Sequence, residues 1–146
     1  MTAPAAQRCL LTFCTPWTVA VPLAVVRRLV ADDDARPIAT GGTGAWLGQV
    51  AFGSETLPAW DLGRLLGLPG GGEAWVLIDR PLRAALRVSR CLQVADIPAA
   101  AVRSVPSAAG GPAGLRAFLS AAGQGFGLLA DPAALLPGAA LLPGAA

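Results

Sequence analysis

Gly48 to Leu62 reads GQVAFGSETLPAWDL, and the chain continues through Gly63 and Arg64 into LLGLP at residues 65–69. Apolar residues recur over Trp46 to Phe52 and again over Thr56 to Trp60, separated by Gly53-Ser54, which predicts two strands around a tight turn. Pro58 inside the second run marks an edge or a bulge, because proline cannot donate to a ladder. Asp61 stands directly before Leu62, where a carboxylate can accept a free helical N–H. Leu62 to Leu66 then makes about one helical turn, stopped by Gly67 and Pro69. Strand, turn, strand and capped short helix within 22 residues set the style of the whole chain.

Working outward toward the N-terminus, Leu10 to Thr15 reads as a strand. Thr15-Pro16 turns the chain, and Trp17, Val19 and Val21 then alternate with Thr18 and Ala20. That is a hairpin with one buried face. Pro22 ends it, and Val25 to Val30 can pair again. The 18 uncharged residues between Arg8 and Arg27 are long enough to raise a membrane span. Pro16, Pro22 and three threonines interrupt them, so two strands are the better reading. The acidic run Asp32 to Asp34 and the segment Pro37 to Gly44 read as a solvated loop.

Toward the C-terminus, Pro69 to Gly72 reads as a linker, after which the pattern restarts at Trp75 to Ile78, Leu82 to Val88 and Cys91 to Ile97. Residues 99–114, rich in Ala, Gly, Ser and Pro, read as a loop. Phe126 to Ala130 reads as a last strand, and Asp131 caps a short helix through Leu136 with Pro132 at its first position. LLPGAA occurs twice, at residues 135–140 and 141–146, too short a period for a solenoid. The expected organisation is a flexible leader over 1–7, a folded unit over 8–137 with one lobe mainly 8–68 and a second mainly 73–130, and a tail over 138–146.

Composition narrows the chemistry. A chain of 146 residues with 54% hydrophobic and 14% charged residues makes one domain or two small lobes sharing a core, with apolar surface to spare for a partner. Eighteen glycines and 13 prolines favour short strands over long helices. There is no His, which removes the usual general base and the commonest metal ligand, and with them Ser-His-Asp and Cys-His catalysis. Cys9, Cys14 and Cys91 are an odd number without metal-site spacing and read as buried, reduced thiols. The net charge of +2 gives weak attraction to nucleic acid. Arg80, Arg83, Arg87 and Arg90 cluster, but Arg83 and Arg87 alternate with Leu82, Ala84, Leu86 and Val88 as the solvent face of a strand.

The order of these segments resembles the CheW family of chemotaxis coupling proteins. The match is carried by the quoted stretch from Gly48 to Leu62 and by Leu65 to Pro69, and it is supported by Phe13, Val19 to Pro22, Val26, Leu29, Leu86, Val88, Val94 to Pro98, Leu128, Leu129, Asp131, Leu135 and Leu136. The resemblance implies an all-β fold of two small SH3-like five-stranded barrels packed together, with short helices. It implies a cytoplasmic, non-enzymatic scaffold that needs no cofactor or metal and joins a chemoreceptor of the methyl-accepting type to a CheA-like histidine kinase. No direct membrane insertion and no nucleic acid enter that role.

The chain departs from the family pattern at polar surface positions. Gly53 stands where an arginine is usual, Arg28 where an acid is usual, and Ser89 where an aspartate is usual. The candidate partner-binding residues are therefore Val26, Arg28, Leu29, Phe52, Gly53, Ser89 and Val94, with no catalytic, cofactor or metal residue. Altered charge with a conserved core changes partner choice more than folding. A variant reading is an adaptor that keeps receptor binding and has weakened or lost kinase binding. Two readings of other classes are a small barrel binding nucleic acid through its arginines, and an enzyme recruiting Asp61, Asp79 and Ser89.

Overall fold

The computed structural model describes residues 6–40, 44–104, 116–119 and 126–136. Its elements in chain order are β1 (Ala6–Cys14), β2 (Trp17–Pro22), β3 (Val26–Ala31), β4 (Ala35–Thr40), β5 (Trp46–Phe52), β6 (Glu55–Asp61), α1 (Leu62–Leu65), β7 (Ala74–Ile78), β8 (Ala84–Val88), β9 (Arg90–Pro98), β10 (Val102–Ser104), β11 (Arg116–Leu119), β12 (Phe126–Leu129) and α2 (Pro132–Leu135). Three-residue 3-10 turns occupy Leu23–Val25, Asp32–Asp34 and Ala99–Ala101. The first two strands pair around Thr15-Pro16, as read from sequence, with Cys14 opposite Trp17.

The strands form two six-stranded sheets, ordered β10-β11-β12-β2-β1-β9 and β3-β7-β8-β6-β5-β4. Each has six strands rather than five because the chain on either side of a 3-10 corner pairs separately, β3 with β7 and β4 with β5. Written from the corner strand, the two orders are the same: β4-β5-β6-β8-β7-β3 corresponds to β10-β11-β12-β2-β1-β9. Each contains one parallel pair, β6 with β8 and β12 with β2, and each parallel partner leads into a short helix, β6 into α1 and β12 into α2. The molecule is thus one small architecture built twice, with the second copy assembled from both ends of the described chain.

That arrangement revises the division expected from sequence. The boundary at residues 68–73 falls inside one sheet, between α1 and β7. One lobe comprises β3 through β8, while the other joins the N-terminal hairpin to β9 through β12. The cause is visible in the burial of the hairpin, which is apolar on both faces. Leu10, Cys14, Val19 and Val21 enter a core shared with the other lobe, whereas Cys9 and Ala20 turn to the interior of their own. Period-2 geometry sends alternate side chains to opposite faces, and here both faces are covered.

The same alternation organises the other lobe. On β7, Trp75 and Leu77 point to an interior core with Val50, Phe52, Leu57, Ala59 and Ala85, while Val76 and Ile78 join the shared inter-lobe core. On β8, Ala84, Leu86 and Val88 face that shared core, with Trp60, Leu62 and Leu66 beside them. Three stacked apolar layers explain how a short chain buries so many Leu, Val and Ala residues. Phe52 and Trp75 meet edge to face with ring centroids 5.4 Å apart.

Local chemistry accounts for the connections. Asp61 is buried and accepts from the Arg64 N–H at 3.1 Å through Oδ1 and from the Gly71 N–H at 2.7 Å through Oδ2, so one carboxylate caps α1 and ties the following loop to it. Residues 37–40, expected as loop, belong to an edge strand, Ala35–Thr40, on β5 with a bulge between Pro37 and Ala39. Edge position and bulge are where a proline is tolerated. Asp32 accepts the Trp75 indole N–H at 2.8 Å, which fixes the acidic corner to the barrel. In the region read as a loop over 99–114, residues 99–101 turn and 102–104 pair with β11. The rest of that segment, residues 1–5 of the leader and the duplicated tail beyond Leu136 lie outside the described residues, whereas Ala6 and Gln7, expected in the leader over 1–7, begin β1 and pair with Pro98 and Ile97 of β9.

Cys9 and Cys14 are buried free thiols and Cys91 is half-buried. Burial raises all three, and the Cys14 thiol is pushed up to about 12. In the unfolded chain thiols ionise near ~8.5. The stability this contributes is complete below that value and is lost as pH rises toward the folded value. Urea unfolding at pH 8 and pH 10 is expected to show a loss of about 2 kcal/mol between them from Cys14, accruing above the unfolded thiol's value. Cys14→Ala should flatten that slope, and an unchanged slope in the variant would assign it elsewhere.

Candidate protein interface

The candidate partner residues fall into two adjoining surfaces and one structural position. The first surface follows the rim of the inter-lobe core. Strands β3 and β9 occupy equivalent edge positions, and each is bulged against its inner neighbour. Val26 pairs with Ile78 and Arg28 with Leu77, leaving Arg27 as the extra residue. On β9, Cys91 pairs with Thr12 and Gln93 with Leu11, leaving Leu92 as the extra residue. Counting onward from each bulge makes Leu29 the structural equivalent of Val94. Leu29 lies opposite Val76 and Val94 opposite Leu10, and both partners belong to the inter-lobe core.

Directly paired residues share a face, so Leu29 and Val94 flank the shared core from its two edge strands. They are 46% and 49% exposed, the pattern of a rim that still has apolar area to bury. Val26 sits on the same face, half-buried and packed against that core. Leu92, 43% exposed at the bulge of β9, adds to the apolar surface of that edge. Sequence reading missed it, because the bulge that turns it out depends on pairing with β1.

The second surface is a cleft at the seam of the lobe containing β3. Arg28, Leu29, Val30, Ala31, Asp34, Phe52 and Gly53 line it, with a volume of about 450 Å³. It brings together four of the candidates that the sequence scatters over 26 residues. Phe52 changes role: it is 3% exposed and packs on Trp75, so it is a core residue that floors the cleft rather than a surface contact. Gly53 turns at φ 67° with open space where a side chain would stand, which leaves the cleft mouth unobstructed.

Charges at the seam are unevenly shared. Arg27, re-aimed by the bulge, donates from Nη2 to Glu55 Oε1 at 2.6 Å, and Arg83 donates from Nη1 to Glu55 Oε2 at 3.2 Å. The hydrogen bond from Arg27 holds the Glu55 carboxyl below its ordinary value, with the charges of Arg27, Arg83 and Arg28 acting in the same direction. Both oxygens of Glu55 are therefore engaged, and Arg28 is left exposed on the cleft wall. No spacing in the sequence announces a contact between residues 28 positions apart.

Ser89 lies elsewhere and is structural. Its hydroxyl accepts the Thr15 N–H at 3.2 Å, its N–H donates to Phe13 O at 2.8 Å, and its carbonyl accepts from Glu73 N at 3.1 Å. It fastens the hairpin to the lobe of β7 and β8. Among the described residues no hydrogen bond joins Ser89 to Asp61 or Asp79, and both oxygens of Asp61 are taken by backbone amides. The arginines do not form a strip either. Arg83 is bound to Glu55, Arg87 is half-buried, and Arg90 lies over the Phe13 ring at 5.4 Å. No helix among the described residues is long and apolar enough to cross a membrane.

No protein-family model and no curated protein matches the chain. Among solved structures, its fold is similar to that of the scaffolding protein TtCheW from Thermoanaerobacter tengcongensis, with a TM-score of 0.68 over 87% of this chain and 88% of that one, at 11% identity. The all-β, two-lobed architecture expected from sequence is thereby matched across nearly the whole length.

Proposed function

We propose that the chain is a non-enzymatic, cytoplasmic adaptor of a chemotaxis-type signalling system, coupling a chemoreceptor of the methyl-accepting type to a CheA-like histidine kinase. What carries the reading is the likeness in fold to a scaffolding protein across 87% of the chain. The half-exposed, structurally equivalent pair Leu29 and Val94 supports it, because an apolar rim along a shared core is suited to receive another polypeptide. In this reading the receptor tip lies along that rim, with Val26, Leu29 and Val94 in contact, and the kinase's regulatory domain meets a barrel surface. A specific observation favours a second form of the same reading, in which receptor binding is kept and kinase binding is weakened. Arg28 and Gly53, two of the three departures in charge from the family pattern, line one cleft.

The test is retention of a purified receptor signalling fragment and of the kinase regulatory domain on the immobilised chain. Leu29→Asp and Val94→Asp should each weaken receptor retention by at least about tenfold with unchanged circular dichroism and melting temperature. Retention of neither partner by the unaltered chain rejects the adaptor reading, and unfolding by both substitutions rejects the rim as an interface.

A further inference from the structure

We infer that the seam cleft accepts an extended, acidic and apolar segment of a partner protein as an added strand on the free edge of β3. The inference rests on the adaptor reading and names the kind of element that one of its surfaces takes. Its first support is geometric. Arg28, Leu29, Val30 and Ala31 are consecutive in one strand and line one cleft. Side chains of successive strand residues point to opposite faces, so four in a row border one space only along the strand's edge.

That edge is open. β3 is the terminal strand of its sheet and pairs with β7 alone among the described residues. Its outward N–H and C=O groups therefore face the cleft, as a template for strand addition. The opposite wall is the turn between β5 and β6, where Gly53 has no side chain to obstruct entry.

The second support is charge. Glu55 has both oxygens occupied by Arg27 and Arg83, so Arg28 only shares the field of a carboxylate already bound by two other guanidiniums, and three cations meet one anion. Arg28 is exposed beside the half-exposed Leu29. An entering strand with a carboxylate near Arg28 and an apolar residue near Leu29 satisfies both. Asp34 at the cleft's other end disfavours a second acid there. The occupant is therefore a segment with a single acid among β-branched residues, not a polyanion.

The probes are two acetylated, amidated hexapeptides of valine and threonine, one carrying a single glutamate and the other a lysine in its place. Each is titrated into the full chain while amide shifts and hydrogen exchange are followed. The glutamate peptide should shift the amides of Arg28 to Ala31 and Gly53 and slow exchange of the outward amides of β3. The lysine peptide should bind about fivefold more weakly, and Arg28→Glu should invert the preference without changing the melting temperature.

Four results would overturn the inference: no shift on β3; ion pairing at Arg28 without added amide protection; protection already complete in the free chain, meaning its own residues cover the edge; or protection that grows with protein concentration, meaning a second copy does. Receptor retention reports separately on the adaptor reading. Retention without peptide binding sinks this inference alone, and peptide binding without retention sinks the adaptor reading alone.

Discussion

Leu86→Ala is expected to lower the free energy of unfolding by about 3 kcal/mol while leaving one cooperative transition. Leu86 has no exposed surface and sits at the centre of β8, facing the core shared by both lobes. Removing its branched end forfeits the transfer energy of the lost methyl groups and leaves a void that the flanking strands close only in part. Both of those strands, β7 and β6, are held in register by ladders on either side of β8. The shared core also contains Leu10, Val19 and Val21 from the hairpin, so damage at Leu86 reaches the other sheet directly. Tryptophan fluorescence and far-ultraviolet circular dichroism, followed together in urea, should therefore shift to a common lower midpoint. Two separated transitions would mean that the lobes are independent and that the shared core is not their main bond.

Gly72→Ala should be comparably damaging, at about 3 kcal/mol, although it adds only a methyl group. A Cβ on Gly72 would overlap the carbonyl group of Val88 and come within 2.7 Å of the Ser89 Cα. Those are backbone atoms of β8 and of the junction to β9, and they cannot swing aside as a side chain can. The loop has little freedom to retreat, since Gly71 N is held by Asp61 and Glu73 N by Ser89 O. Gly67→Ala is the control. That glycine has φ 81° but open space beyond it, so only the backbone strain of about 1 kcal/mol applies. Equal melting temperatures for the two variants would show that the close approach at Gly72 is not maintained in solution.

The same glycine marks the boundary of what could be read from sequence. The run Pro69 to Gly72 looks like a linker because proline and glycine punctuate it, yet Gly72 is required by close backbone packing within one lobe. The hairpin at 10–22, the strands around Gly53-Ser54 and the Asp61 cap were legible because each depends on residues a few positions apart. The pairing of β1 with β9 and of β2 with β12 was not, since it joins residues about 80 to 110 positions apart whose apolar pattern fits many partners. That non-local pairing is why the lobes do not follow chain order.

For the candidate interface, the apolar character of the named residues was readable and their geometry was not. Val26, Leu29 and Val94 are apolar residues in strand-like runs, and only the pairing shows that the last two are equivalent half-exposed positions. Phe52 shares their character but points inward to Trp75. Ser89 was singled out as a departure in charge, and its hydroxyl and main chain serve instead to fasten one sheet to the other. The Arg27–Glu55–Arg83 cluster escaped notice because a bulge decides which way Arg27 turns.

Two copies of one small barrel share a core, and the proposed adaptor role requires the rim of that core to bind another protein. The most direct test of that role is the molar mass by light scattering of the purified chain mixed with a receptor signalling fragment and a kinase regulatory domain. A species containing the chain with at least the receptor fragment is expected, and it should be lost on Leu29→Asp. Three separately eluting components from folded proteins would contradict it.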